Sequence, residues 1–188
     1  MQEIRKYFER TRKLPDVDWE RFSSRLSRRQ FGPRSVILKA GEREDYLSFI
    51  ESGVVRFYLP GEERELTFSF AFAGAFMSAY DSFLSRSPSA YQVGTLAPVT
   101  LWSISYDGLQ AVYRETSIGD VIGREAAEEL FLAKSRREIS LLSETAEERY
   151  RKLLAEQPHM LQLIPLKYLA SYIGITPQAL SRIRRRIS

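Results

Sequence analysis

The chain has 188 residues, 44% of them apolar and 28% charged, which suits an ordinary globular protein of one large domain or two small ones. It has no cysteine and one histidine, His159. That excludes disulfides, thiol nucleophiles, cysteine-held zinc and iron–sulfur clusters, and leaves little for metal or acid–base chemistry. The net charge of +4 is modest but unevenly placed.

Residues 1–30 are expected to be helical, with Trp19, Phe22 and Leu26 on one face and Asp16 or Asp18 as the cap. From Phe31 the pattern changes to short strands. SVILKAGE is β-branched at its start, and YLSFIESGVVRFYLPGEERELTFSFAF breaks at Glu51-Ser52-Gly53 and at Pro60-Gly61. Leu66, Phe68, Phe70 and Phe72 alternate with Thr67, Ser69 and Ala71, which predicts one apolar face at period two. A short helical turn is expected within FMSAYDSFLSRSPSAYQV, then strands near 91–97 and 99–105. Many short strands with turn signals indicate an antiparallel sandwich or barrel. Its inward candidates are Phe, Leu, Val and Tyr, so neither a metal-binding nor a catalytic cluster is expected there, and no cofactor. The rings of Phe68, Phe70, Phe72, Phe76, Tyr80 and Tyr91 either fill the core or enclose an apolar effector; core filling is expected for most.

Beyond Tyr106 the signal is helical. Residues 107–115 suit a short helix and 117–142 one long helix, with Ile118, Val121, Ile122, Leu132, Ile139 and Leu142 as a broken apolar stripe. Such a helix either lies across its own barrel or pairs with a second copy, and pairing is the expectation. TAEERYRKLLAEQ forms a further amphipathic helix, with Thr145 as N-cap and Pro158 past its end. His159 is expected in a surface loop. No stretch of about 18 uncharged apolar residues occurs, so no membrane span is expected. The start, MQEIRKYFERTRKL, lacks the apolar centre of a signal peptide, which predicts a cytoplasmic protein.

The basic charge collects at the end. Residues 149–188 hold eight basic side chains against Glu156 alone, a balance of +7, while the first 148 residues carry 20 basic and 23 acidic ones. In PLKYLASYIGITPQALSRIRRRIS, Pro165 suits a first helical position, and Leu166, Leu169, Ala170 and Ile173 share one face. Gly174 ends that helix, and Thr176-Pro177 caps and opens the next, whose apolar positions are Leu180, Ile183 and Ile187. The small Ala170 allows close crossing. Two short helices with a glycine-containing turn make a helix-turn-helix. Gln178, Ser181, Arg182 and Arg185 fall opposite the apolar stripe, where Gln suits adenine and Arg suits guanine in a major groove. Thr176, Arg184 and Arg186 are expected to serve phosphates.

The chain resembles the Crp/Fnr family of bacterial transcription regulators over nearly its full length. The resemblance is carried by SVILKAGEREDYLSFIESGVVRFYL and LKYLASYIGITPQALSRIRRRI. It implies an α+β protein: an N-terminal jelly roll of the cyclic-nucleotide-binding type (1–116), a dimerisation helix (117–142) and a helix-turn-helix domain (143–188). It implies a homodimer that binds double-stranded DNA, with RNA polymerase as a further partner and no enzymatic activity. The effector pocket departs from the family. Cyclic-AMP-binding relatives carry Gly-Glu-Leu for the ribose and Arg-Ser or Arg-Thr for the phosphate. Here Met77, Ser78, Ala79 and Tyr80 stand at the first place and Ser89 and Ala90 at the second, with Arg86 a weak substitute. Cyclic AMP is therefore not expected to bind, and any effector would be another small molecule. The alternative is a non-catalytic jelly-roll interaction module that binds DNA only weakly.

Overall fold

The computed structural model describes residues 1–10, 13–62, 64–117 and 119–187. It is α+β, with eight short strands in two four-stranded antiparallel sheets of jelly-roll type and helices at both ends of the chain. Two helices come first, α1 (Gln2–Phe8) and α2 (Asp16–Ser23). The strands are β1 (Ser27–Phe31), β2 (Val36–Leu38), β3 (Tyr46–Ser52), β4 (Val54–Leu59), β5 (Leu66–Phe72), β6 (Phe76–Met77), β7 (Gln92–Thr95) and β8 (Val99–Ser105), with α3 (Tyr80–Ser85) between β6 and β7. One sheet runs β1-β8-β3-β6 and the other β2-β7-β4-β5. Helices α4 (Tyr106–Glu115), α5 (Gly119–Ser143), α6 (Ala146–Glu156), α7 (His159–Leu163), α8 (Leu166–Ile173) and α9 (Pro177–Ile187) complete the chain.

Contacts group the chain into two units. One comprises residues 1–56 and 70–128, the other residues 57–69 and 129–188. The core of the first unit gathers Ile4, Phe8, Leu14, Phe22, Phe49, Phe83, Ile104, Leu109 and Val112, so helices α1, α2 and α4 bury their apolar faces together with β3 and β8. The sharp link between β3 and β4 needs Gly53. Its φ is +97°, and a Cβ there would lie 2.4 Å from the Pro98 carbonyl oxygen and 2.7 Å from Val99 Cγ2. The second unit has its own buried set, including Tyr150, Leu153, Met160, Ile164, Leu169, Ile173, Leu180 and Ile183.

Several expectations need correction. Residues 1–30 are not continuously helical, because Ser27–Phe31 forms β1 and pairs with β8 from Ser27↔Ser103 to Phe31↔Val99. Its Arg28-Arg29-Gln30 centre carries no apolar alternation; an edge strand can be held by backbone pairing alone. Neither Asp16 nor Asp18 caps α2. Pro15 precedes the helix, and the buried Asp18 carboxylate instead accepts from the Ser117 amide (3.2 Å) and hydroxyl (2.8 Å). On β5 the expected inward face is only half right. Leu66 is exposed, Thr67 is buried, and Phe68, Phe70 and Phe72 are half-buried. Period-two alternation says that faces differ, not which one becomes covered. His159 opens the five-residue helix α7 rather than lying in a loop, though it is exposed. The long helix spans 119–143, and Ile118 together with the side chains of Val121 and Ile122 lies outside the described residues.

Candidate nucleic-acid interface

Helix α6 starts with a capping box. Thr145 Oγ1 accepts from the Glu148 amide (3.3 Å), while the Glu148 carboxylate accepts from the Thr145 amide (2.7 Å). Pro165 stands at the N-cap position of α8, one residue earlier than expected. Leu169, Ala170 and Ile173 are fully buried, which turns one face of α8 inward. The helix ends at Gly174, where φ is +87° and the Ile175 amide donates back to the Ala170 carbonyl at 3.0 Å. A Cβ at Gly174 would meet only ordinary contacts, so backbone conformation and not space demands glycine there. Thr176 then caps α9, its Oγ1 accepting from the Ala179 amide (3.2 Å).

In α9, Leu180 and Ile183 are buried and Ile187 half-buried. The opposite side presents Gln178, Arg182 and Arg185, all exposed. Thus the polar and apolar faces lie where their spacing put them. Ser181 is half-buried, and its hydroxyl donates to the Pro177 carbonyl (2.9 Å), so it enters any contact as an acceptor. The remaining two arginines leave this face. Arg186 Nη2 pairs with Glu147 Oε2 at 3.0 Å beside the start of α6, and Arg184 lines an open pocket of about 380 Å³ with Tyr150, Leu154, Ile164 and Leu166. Gln178, Arg182 and Arg185 form one group; Arg184 and Arg186 are turned toward the neighbouring helices.

Two residues that sequence reasoning missed hold the end of α8. The Arg137 guanidinium stacks 3.9 Å from the Tyr172 ring centroid and donates to the Tyr172 carbonyl. Arg149 Nε donates to the Ile173 carbonyl (2.9 Å), while its Nη1 reaches the Ser140 and Glu144 carbonyls. Both cations therefore sit on the carbonyl end of α8, where the helix dipole favours positive charge. Burial, together with the nearby Arg149, pulls the Arg137 pKa below its ordinary value, although the Tyr172 contact opposes this. Its Nε is buried without a hydrogen-bond partner. No local pattern marks these two arginines, because their acceptors lie on another helix.

At the expected effector segment, Met77 and Ala79 are buried, and the Ser78 hydroxyl donates to the Tyr46 carbonyl (2.9 Å). Tyr80 stacks on Phe83 with centroids 6.1 Å apart. Ser89 is buried, its hydroxyl donating to the Tyr91 carbonyl (2.9 Å), while Ala90 is exposed. Phe76 packs among Tyr7, Phe8 and Phe49. Arg86 does not stand free as a phosphate partner. It donates to the Glu44 carbonyl (2.8 Å), pairs with Asp45 and lies 4.3 Å from the Tyr106 ring centroid. Ser78, Ala79 and Tyr80 carry no carboxylate, but Asp81 follows them and accepts from the Tyr91 hydroxyl, and Glu44 brings a second carboxylate from another part of the chain. Its buried carboxylate accepts from the amides of Tyr46 (3.0 Å) and Ala79 (3.4 Å).

Burial raises the Glu44 pKa above 4.5 despite those amides. The folded state then holds a proton that the unfolded chain gives up, so stability falls as pH rises through that window. Glu44→Gln is expected to match the parent below pH 4.5 and to melt a few degrees higher at neutral pH, in thermal scans at both. A lower melting temperature at neutral pH would show that the two amides need the charge.

Among the described residues, no helix is long and apolar enough to cross a membrane, and no group of three or more His, Asp or Glu could hold a metal ion. Residues 28–116 match the cyclic nucleotide-binding domain family. No curated protein sequence matches the chain. Solved structures do. A putative transcriptional regulator of the Crp/Fnr family from Eubacterium rectale superposes with a TM-score of 0.74 at 17% identity, over 97% of this chain and 87% of that one. The c-di-GMP-responsive global regulator CLP of Xanthomonas campestris gives 0.68 at 21% identity, over 92% and 91%. A CooA variant from Carboxydothermus hydrogenoformans gives 0.70 at 14% identity, over 88% and 77%. At these identities the likeness is one of fold.

Proposed function

We propose that the chain is a dimeric, sequence-specific DNA-binding transcription regulator of the Crp/Fnr type. Residues 1–116 act as sensor, 117–142 as dimer helix and 143–188 as the DNA-binding helix-turn-helix domain. The observation that carries this reading is the face of α9. A capped helix buries Leu180 and Ile183 and presents Gln178, Arg182 and Arg185 to solvent, without an acidic residue anywhere in α9. These side chains suit base edges in a major groove, while Thr176 and the α9 start suit a phosphate. The neighbours described as transcription regulators support the same role.

Dimerisation rests on α5. Phe131, Leu132, Ile139, Leu141 and Leu142 are all exposed, with Phe131 at 71% and Leu142 at 83%. Such a row of large apolar side chains along one helix marks a protein interface. Two paired chains would present two α9 helices about one duplex turn, ~34 Å, apart. The test is a selection of bound sequences from random duplex DNA followed by footprinting. Two half-sites of related sequence are expected; protection of one short site alone would overturn the dimeric mode. RNA polymerase is the partner such a regulator would act through.

Cyclic AMP is not the effector. Arg86 is committed to Asp45 and to the Glu44 carbonyl, and the Glu44 carboxylate lies at the Ala79 amide. A phosphate buried beside that carboxylate would meet like charge, at a cost of several kcal/mol. The chemistry suits an apolar or cationic effector instead. Calorimetry with cyclic AMP is expected to give no binding heat, and micromolar affinity would overturn this assignment.

A further inference from the structure

The β4–β5 hairpin arm groups with the C-terminal helices. Residues 57–69 belong to the same unit as residues 129–188. One side chain joins them at two points. Ser171, on α8, donates its hydroxyl to the Glu65 carbonyl (3.0 Å) and accepts from the Thr67 amide (2.8 Å). Thr67 is buried there, Phe57 and Phe68 pack with centroids 6.2 Å apart, and Lys134 of α5 lies 5.8 Å from the Phe68 ring centroid. A single hydroxyl thus uses both its proton and a lone pair on backbone groups more than a hundred residues away. Ser171 is offset from the buried positions Leu169, Ala170 and Ile173, so it is not a core residue of α8.

The segment fastened to α8 at Glu65 and Thr67 continues from the sequence PGEERE at 60–65, with three carboxylates against one guanidinium. In a two-helix DNA reader the first helix crosses the phosphate backbone while the second enters the groove. In that docking geometry an acidic loop fastened to the first helix would stand beside the path of the phosphates. We infer that the β4–β5 arm is an electrostatic brake on DNA binding, latched to the first helix of the reader by Ser171. This rests on the DNA-binding reading and adds a means of regulating it. Release of the latch lets the arm withdraw its negative charge, and strands β4 and β5 carry the chain directly from the arm into the jelly-roll unit. Ser171 is a positioning residue; the repulsion comes from the loop.

The test compares the full chain, Ser171→Ala and the loop variant Glu62→Gln/Glu65→Gln in two measurements. The first is amide hydrogen exchange across residues 60–70, and the second is binding to a random duplex at two salt concentrations. Ser171→Ala should speed exchange at Thr67 and tighten binding about three- to tenfold at ~50 mM salt, with the gain shrinking toward ~200 mM as charges are screened. The loop variant should tighten binding similarly while leaving the Thr67 exchange rate alone, and combining the two should add little. Unchanged exchange in Ser171→Ala would overturn the latch. Faster exchange with unchanged or weaker DNA binding would overturn the brake. If Ser171→Ala fails to fold, the loop variant, exposed at Glu62 and Glu65, still decides the brake: binding no tighter than the parent's would overturn it. Absence of binding by all three proteins at both salt concentrations would overturn the DNA reading itself, and with it the brake; exchange alone would still decide the latch.

Discussion

Arg182→Ala should cost about 1–3 kcal/mol on the preferred duplex and relax the preference for one base position, a loss of roughly five- to 150-fold. The reason is geometric. Arg182 lies one helical turn from Gln178 and three residues before Arg185, exposed on the side of α9 away from Leu180 and Ile183. A planar guanidinium in that position can donate two parallel hydrogen bonds to a guanine edge, and alanine leaves both acceptors to water. Arg186→Ala should behave differently. Its guanidinium is already paired with Glu147, so its net contribution is a fraction of a charge delivered to the phosphates. It should weaken all sequences alike and by less than Arg185→Ala. Glu147→Gln should give the opposite sign, because it releases Arg186 for the phosphates. Competition binding on selected and scrambled duplexes, repeated across salt, separates these effects. Loss of specificity in Arg186→Ala equal to that in Arg182→Ala would refute the division of the arginines.

The double variant Ile139→Glu/Leu142→Glu is expected to convert a dimer to a monomer in sedimentation velocity. Both side chains are largely exposed in the single chain, at 60% and 83%, so the monomer itself should melt almost unchanged. In a paired helix the same positions would place carboxylates in a dry apolar seam, which pairing cannot tolerate. DNA affinity should fall at least about 100-fold with it, because two linked readers gain from effective concentration and one does not. A parent protein that sediments as a monomer at every concentration would remove the dimer, and an undiminished affinity in the variant would remove the two-half-site mechanism.

How much of this was legible in the residues depends on the distance over which each feature is decided. Thr145 with Glu148, Gly174, and Thr176 with Pro177 act on amides a few residues away, and each cap or turn stands where its local pattern placed it. The breaks at Gly53 and Pro60-Gly61 are of the same kind. The opposed faces of α9 follow from helical period alone. By contrast, β1 is polar along its centre and is a strand only because β8, some seventy residues later, offers a partner edge. The same limit hid Asp18, whose partner is Ser117, and Glu44, whose burial no neighbour in sequence foretells.

For the candidate site the division is similar. Which side chains α9 presents could be read from spacing. What those side chains are free to do could not. Arg186 is drawn to Glu147, Arg184 faces a cavity, and Arg86 is committed to Asp45 and Tyr106. Arg137 and Arg149 close the end of α8, and Ser171 ties it to a hairpin more than a hundred residues earlier. Caps, turns and periodic faces are set within one or two helical turns of backbone, so the chain alone determined them. Partnerships of long charged side chains depend on which elements fold into reach, and only the tertiary structure decided those.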